Sequence, residues 1–339
     1  MDEIKQVLEQ YDIKPTYIES INDRVNKVHT TTYSFILKKL SNKRNPQFIK
    51  FLPQLEQSQY KNYVQIFPNR YKQLLTMHEN NLYYLMPCLQ NELADERNEK
   101  HLYLFKEAAR LHQRTEKEQK LKEDESASHY ESVLEKWNEE QALYERYVEQ
   151  CEKQLYLAPF ELQAVTYFIE VSRAIDFAKG KLADWEEEMK EKEATRIVMN
   201  HGRLSSHHFL YDEKGTGFFI NLEEARMASP IEDMILFLNR TLKTYPTQCD
   251  DCVNWFYEYQ QYYPFKEEEM HLFLSYLSYP ASILRIIKTN TQNKQKELSR
   301  NRKLLKAYWQ FKNIEYFVMR VSEIEEKKRQ EKEGNEAAT

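Results

Sequence analysis

Residues 198–238 read VMNHGRLSSHHFLYDEKGTGFFINLEEARMASPIEDMILFL. The first half of this stretch is rich in β-branched and aromatic residues. YDEKGTG, between SHHFLY and FFINL, supplies the glycines of a tight turn and predicts a β-hairpin. Beyond Pro230 the texture becomes helical, with breaks at Pro246, Pro264 and Pro280. Upstream, residues 98–199 are dominated by Ala, Leu, Glu and Lys, and only Pro159 and Gly180 interrupt them. Apolar residues there recur at helical spacing, as in Leu134, Trp137, Leu143, Tyr144 and Tyr147. The mixed-sign run EKEQKLKEDES (116–126) reads as a helix end or loop.

Further out, residues 1–14 predict a short helix through Ile4, Val7, Leu8 and Tyr11, stopped at Pro15. Residues 17–40 predict two or three antiparallel strands. NPQFIKFLPQLEQSQY (45–60) predicts a helix after an Asn-Pro turn, and YVQIF (63–67) and NNLYYLMPCL (80–89) further strands. The charged end, 323–339, reads as a disordered tail. The order is α+β: a small β-rich N-terminal part over 1–89, then a helical part over 90–322 with one hairpin region, 198–224, in its middle. No repeat of fixed period is present.

Composition narrows the function. Of 339 residues, 49 are Lys or Arg and 54 are Asp or Glu, a net charge of −5 that exerts no general pull on nucleic acid or anionic membranes. No apolar run is long enough for a transmembrane helix. The N-terminus, MDEIKQVLEQYDIKP, lacks the apolar core of a secretory signal, and four cysteines cannot build a disulfide scaffold, so the reducing cytosol is the expected compartment. The five glycines all lie at or beyond Gly180. A P-loop, a dinucleotide fingerprint and a kinase-type Gly-rich loop all need glycine where backbone meets phosphate, so none can lie in the first half.

Residues 198–238 resemble the catalytic region of aminoglycoside-phosphotransferase-type kinases. That pattern is His-Gly-Asp-(x4)-Asn, a hairpin, Ile-Asp-Phe/Trp-Glu, and a later Asp. In that chemistry the first Asp positions the attacking hydroxyl, and the Asn and second Asp hold metal. His201 and Gly202 match, and Asp233 matches the later Asp. The catalytic Asp position is Arg203, the metal-binding Asn position is His208, and the metal-binding Asp position is Asn221, followed by Leu222 and Glu223. Arginine cannot accept a proton, and Mg²⁺ favours carboxylate oxygen. Phe35-Ile36-Leu37-Lys38 resembles the strand whose lysine meets the nucleotide phosphates, with Glu56 a candidate partner for Lys38. Residues 82–89 resemble the hinge, and Ala108-Ala109-Arg110-Leu111-His112 the family's helix ending in Leu-His. The resemblance implies a two-lobed protein-kinase-like fold.

Within that superfamily the sequence resembles the CotS family of bacterial endospore coat proteins, over nearly all of residues 1–322. The likeness rests on the opening helix, the strand YSFILKKL, and the charged, Trp-containing helical insert LEKWNEEQALYERYVEQCEKQ before the His-Gly motif. It implies a protein made in the mother-cell cytoplasm and deposited in the spore coat. Its partners would be other coat or coat-morphogenetic proteins, and nucleic acid is not expected among them.

Each candidate has a plain reading beside the sharp one. Lys38, Glu56, His201 and Glu223 are either a nucleotide-site remnant or ordinary structural residues. His207 and His208, as neighbours on a strand, would point to opposite faces and could not ligate one metal with His201. No metal and no cofactor is expected. Cys249 and Cys252 read as reduced thiols on the first turn of a helix, with cross-linking in a mature coat as the other reading. Residues 285–312 hold nine basic residues and one acid, among them Arg285, Lys288, Arg300, Arg302, Lys303 and Lys306, interleaved with Tyr308, Trp309 and Phe311. They are a solvated face, a surface for an acidic protein or a nucleic-acid site, the last disfavoured because the rest of the chain would repel phosphate.

Two functions follow. The first is a non-catalytic, kinase-like structural and interaction protein of the spore coat. The second is a small-molecule phosphotransferase with atypical groups, Glu223 or Glu224 for metal and Asp212 as base.

Overall fold

The computed structural model describes residues 2–41, 46–89, 97–122, 124–243, 248–292 and 297–337. Contacts divide the chain into two compact units, residues 1–115 with 199–227, and residues 116–198 with 228–339. The division does not fall after residue 89. The helix after the hinge and the hairpin region both belong with the N-terminal sheet.

The first unit opens with α1 (Asp2–Glu9), which ends five residues earlier than Pro15 alone would dictate because residues 10–12 turn back on Val7, Leu8 and Glu9. β1 (Tyr17–Asn22), β2 (Val25–His29), β3 (Ser34–Lys39), β4 (Thr76–His78) and β5 (Asn81–Pro87) form an antiparallel sheet in the order β1-β2-β3-β5-β4. Val7 and Leu8 of α1 pack on Val28, Leu37, Tyr83 and Leu85, giving the sheet one dry face. A 3-10 turn (Pro46–Phe51) runs into α2 (Leu52–Gln57). The predicted strand 63–67 is not one. Val64 N–H donates to Phe219 O at 2.8 Å and Phe67 N–H to Leu85 O at 2.8 Å, so its amides are split between two elements and no ladder forms. α3 (Arg97–Thr115) buries Leu104, Phe105, Ala108, Ala109, Leu111 and His112.

In the second unit, residues 117–120, read as a helix end or loop, form strand β6 (Lys117–Lys120) instead, paired antiparallel with β7 (Ala194–Asn200) from Lys117↔Ile197 to Lys120↔Ala194. Two long helices follow β6, α4 (Glu125–Glu152) and α5 (Pro159–Met189). Pro159 opens α5 at a position where a missing N–H costs nothing, and Glu161 accepts the Ala158 N–H at 2.8 Å. After β7 come a 3-10 turn (Ser206–His208), the hairpin β8 (Phe209–Tyr211) and β9 (Gly217–Phe219), a second 3-10 turn (Leu222–Glu224) and β10 (Arg226–Ala228). Through residue 227 these belong to the first unit.

The helices α6 (Ile231–Thr241), α7 (Asp250–Tyr262), α8 (Glu267–Ser278), α9 (Ala281–Gln292) and α10 (Glu297–Ala337) complete the second unit. Its core joins Trp137, Tyr144, Val171, Ile175 and Leu182 to Ile283, Ile287, Leu304 and Phe311. Stacked pairs Trp137–Tyr279 (4.1 Å) and Tyr167–Tyr308 (3.6 Å) clamp α4 to α9's approach and α5 to α10. Residues 323–337, read as disordered, continue α10. Lys328–Glu325 and Arg329–Glu326 pairs at i,i+3 support this exposed end, with Lys328 lying 4.4 Å from the Tyr257 ring.

Candidate functional site

Lys38 sits on β3 opposite Tyr84 of β5. Its ammonium forms an ion pair with Glu223 Oε1 and donates to Asn221 Oδ1. The Tyr84 hydroxyl donates to the same Glu223 oxygen at 2.7 Å. The Lys38 side chain is 12% exposed and that of Glu223 is 0% exposed, so the pair is sequestered from water. Burial alone would raise the Glu223 carboxyl, but the Lys38 charge and the hydrogen bonds from Lys38 and Tyr84 outweigh it and hold the carboxyl below its usual value. Glu56, the partner inferred from sequence, is exposed on α2. Glu223 takes its place.

Asn221 adopts a left-handed conformation (φ 63°), which asparagine tolerates, and this turns Glu223 inward through the 3-10 turn. The His-Gly pair is held for structural reasons. His201 is fully buried; its Nε2–H donates to Ile220 O at 2.8 Å, and its Nδ1 accepts the Arg203 N–H at 3.1 Å. Gly202 has φ 75°, and a Cβ there would lie 2.2 Å from the Glu224 carbonyl oxygen. Backbone contact thus demands glycine at this point whatever the chemistry.

His208 lies in a 3-10 turn rather than on a strand, so the expected alternation with His207 does not apply. Its Nδ1–H donates to Arg203 O at 2.8 Å, and its ring stacks 5.7 Å from His201. Burial, helped by His201, Arg203 and Lys38, pushes the His208 imidazole down to about 4, so it is neutral at pH 7. Asp212, the alternative base, accepts the N–H groups of Lys214 (2.9 Å) and Thr216 (2.8 Å) in the hairpin turn.

Lys38 is paired with Glu223, as a kinase-type lysine is with a carboxylate partner. The Asn221 oxygen is given to that lysine, His208 Nδ1 to a carbonyl, and Arg203 adds positive charge where a metal would need negative charge. Among the described residues no group of three or more His, Cys, Asp or Glu side chains is placed to hold a metal ion. Tyr84 was not legible in sequence as a site residue; its only signal was its place on the strand that would lie beside Lys38.

The basic candidates lie elsewhere, in the second unit. Arg285 and Lys288 are exposed on α9, and Arg302, Lys303 and Lys306 on α10. Arg300 is half-buried, 5.5 Å from the Phe160 ring. Lys294 and Lys296 lie outside the described residues. Lys312 pairs with Glu170 at 3.1 Å and with Glu315, Tyr308 stacks inward, and Phe311 is buried. Of that aromatic set, Trp309 is exposed, Tyr308 half-buried and Phe311 buried. Cys249 and Cys252, expected as reduced thiols, form a disulfide at the start of α7, their Cα atoms 5.4 Å apart.

No family model matches the sequence, and no curated protein does. Solved structures do match. An aminoglycoside phosphotransferase from Alicyclobacillus acidocaldarius superposes with a TM-score of 0.71 at 13% identity, over 94% of this chain and 96% of that one. The chain has the kinase-like fold of the aminoglycoside phosphotransferases. A microcompartment-associated aminopropanol kinase (TM-score 0.56, 13% identity, 93% and 97% covered) and a spectinomycin phosphotransferase bound to AMP (0.55, 12%, 93% and 96%) share it. At these identities the likeness concerns the fold, with its antiparallel-sheet N-terminal lobe and mostly helical C-terminal part. No described helix is long and apolar enough to cross a membrane.

Proposed function

We propose that this chain is a non-catalytic protein of the phosphotransferase fold, acting as a structural and interaction component. The observation that carries the reading is the buried Lys38–Glu223 pair, tied off by Tyr84 and Asn221. A lysine–carboxylate pair is compatible with phosphate binding in kinases, so the weight falls on its surroundings: the Asn221 oxygen is spent on Lys38 rather than on a metal. Arg203 and the neutral His208 supply neither a base nor an anionic ligand.

The resemblance to CotS coat proteins gives the setting: synthesis in the mother cell, recruitment to the spore coat, and other coat or coat-morphogenetic proteins as partners. The solved relatives are small-molecule phosphotransferases and kinases by name, so catalysis with atypical groups is the competing reading. It needs Asp212 as base, yet that carboxylate is committed to the hairpin turn.

Incubation with Mg²⁺-ATP and a panel of amino sugars and amino alcohols tests this. No transfer above background is expected, since a lost base costs about 10²–10⁴-fold and lost metal ligands more. Phosphotransfer that vanishes in Glu223→Gln would overturn the proposal.

A further inference from the structure

Helix α10 is apolar on two faces. One buries Leu304, Phe311, Ile314, Phe317 and Val321 in the core of its own unit. The other points outward: Leu298 is 65% exposed, Leu305 38%, Trp309 43% and Met319 54%, with partly exposed Lys312 and Tyr316 between them. From Leu305 onward these residues follow one another at alternating intervals of four and three, the spacing of a helix–helix seam. The stripe is about 32 Å long at 1.5 Å per residue. Trp309, Lys312, Tyr316 and Met319 also line a groove of about 620 Å³ with Gln248.

We propose that this face of α10 docks a second copy of the same chain, with the two α10 helices antiparallel. Charge selects this occupant. Between 298 and 312 the described side chains carry Arg300, Arg302, Lys303, Lys306 and Lys312 and no acid. Between 313 and 326 they carry Glu315, Glu323, Glu325 and Glu326 against Arg320 alone. An acidic partner would suit the first half of the stripe and be repelled by the second. A parallel copy would set like charge on like. An antiparallel copy puts each basic half against an acidic half and brings Met319 near Trp309, a favourable sulfur–aromatic pairing. Glu315 and Glu323 are held by Lys312 and Arg320 of the same helix, and such exposed pairs exchange at little cost; Glu325 also accepts from the Tyr257 hydroxyl at 2.8 Å.

Sedimentation equilibrium on the full chain, over about 1–100 µM, reads the result directly. A monomer–dimer equilibrium that weakens with added salt is expected. Trp309→Glu should weaken it by about tenfold or more with an unchanged melting temperature, because the ring is exposed and its loss opens no cavity. Arg302→Glu/Lys306→Glu and Glu315→Lys/Glu323→Lys chains should each dimerise poorly alone and pair with one another when mixed. A monomer throughout the range, a dimer indifferent to Trp309→Glu, or a dimer strengthened by added salt would each overturn the proposal. The last would indicate parallel packing, in which screening relieves like charge on like.

Discussion

At the scale of single residues, the buried Lys38–Glu223 pair carries the proposed function. Two charges out of water are stable only while both are present and hydrogen-bonded, and removing one leaves the other stranded. Lys38→Ala should therefore cost about 3–5 kcal/mol in chemical denaturation. The pair Lys38→Met/Glu223→Leu should recover most of that loss, less about 1–3 kcal/mol for the Tyr84 hydroxyl left without its acceptor. A double variant no better than Lys38→Ala would show that the pair does more than neutralise itself. His208 gives a second expectation. Its imidazole is pushed from near 6.5 down to about 4, so the unfolded chain binds the proton first as pH falls. Its contribution is complete above pH 6.5 and is lost progressively down to about pH 4. The depressed Glu223 carboxyl adds a loss further into acid, below its ordinary value of 4.5. His208→Gln should flatten the stability profile between pH 6.5 and 4 relative to the natural chain; parallel profiles would contradict the assignment.

Elements decide why some of this was legible and some was not. The strands over 17–40 and the hairpin at 211–217 follow from alternation and turn glycines, and both are present. Strand β6 does not show in the sequence because all four of its residues are exposed and charged or polar; its ladder runs to the partner strand β7, which no local pattern announces. The opposite failure occurs at 63–67, where β-type residues give up their ladder to reach Phe219 and Leu85. Charge at 323–337 suggested disorder, yet opposite signs three apart are also what sustains an exposed helix end. The partner of Lys38 was assigned to Glu56, nearby in sequence, because nothing local predicts that Asn221 will turn Glu223 inward. The loop 201–203 makes its own prediction. Gly202→Ala places a methyl 2.2 Å from a backbone oxygen at φ 75° and should cost more than about 2 kcal/mol, lowering the melting temperature by several degrees. An unperturbed variant would mean the His-Gly turn is not braced against Glu224 as described.

For the molecule as a whole, the phosphotransferase architecture extends over more than nine-tenths of the chain, and fold does not by itself decide chemistry. Fold was readable because His201, Gly202 and Asp233 are buried structural residues, retained by packing whether or not a substrate is turned over. Cellular role was readable only through the CotS resemblance, and it has its own test. A fluorescent fusion should form a ring or cap on the developing forespore, whereas a diffuse signal in vegetative cells would favour an enzyme. The central claim, that the former nucleotide site is closed by its own ion pair, is tested most directly by calorimetric titration of the full chain with Mg²⁺-ATP. The account predicts no saturable heat at millimolar nucleotide. Saturable, Mg²⁺-dependent binding with a dissociation constant of about 100 µM or tighter, worth at least about 5 kcal/mol, would show that Lys38 leaves Glu223 for phosphate and would contradict it.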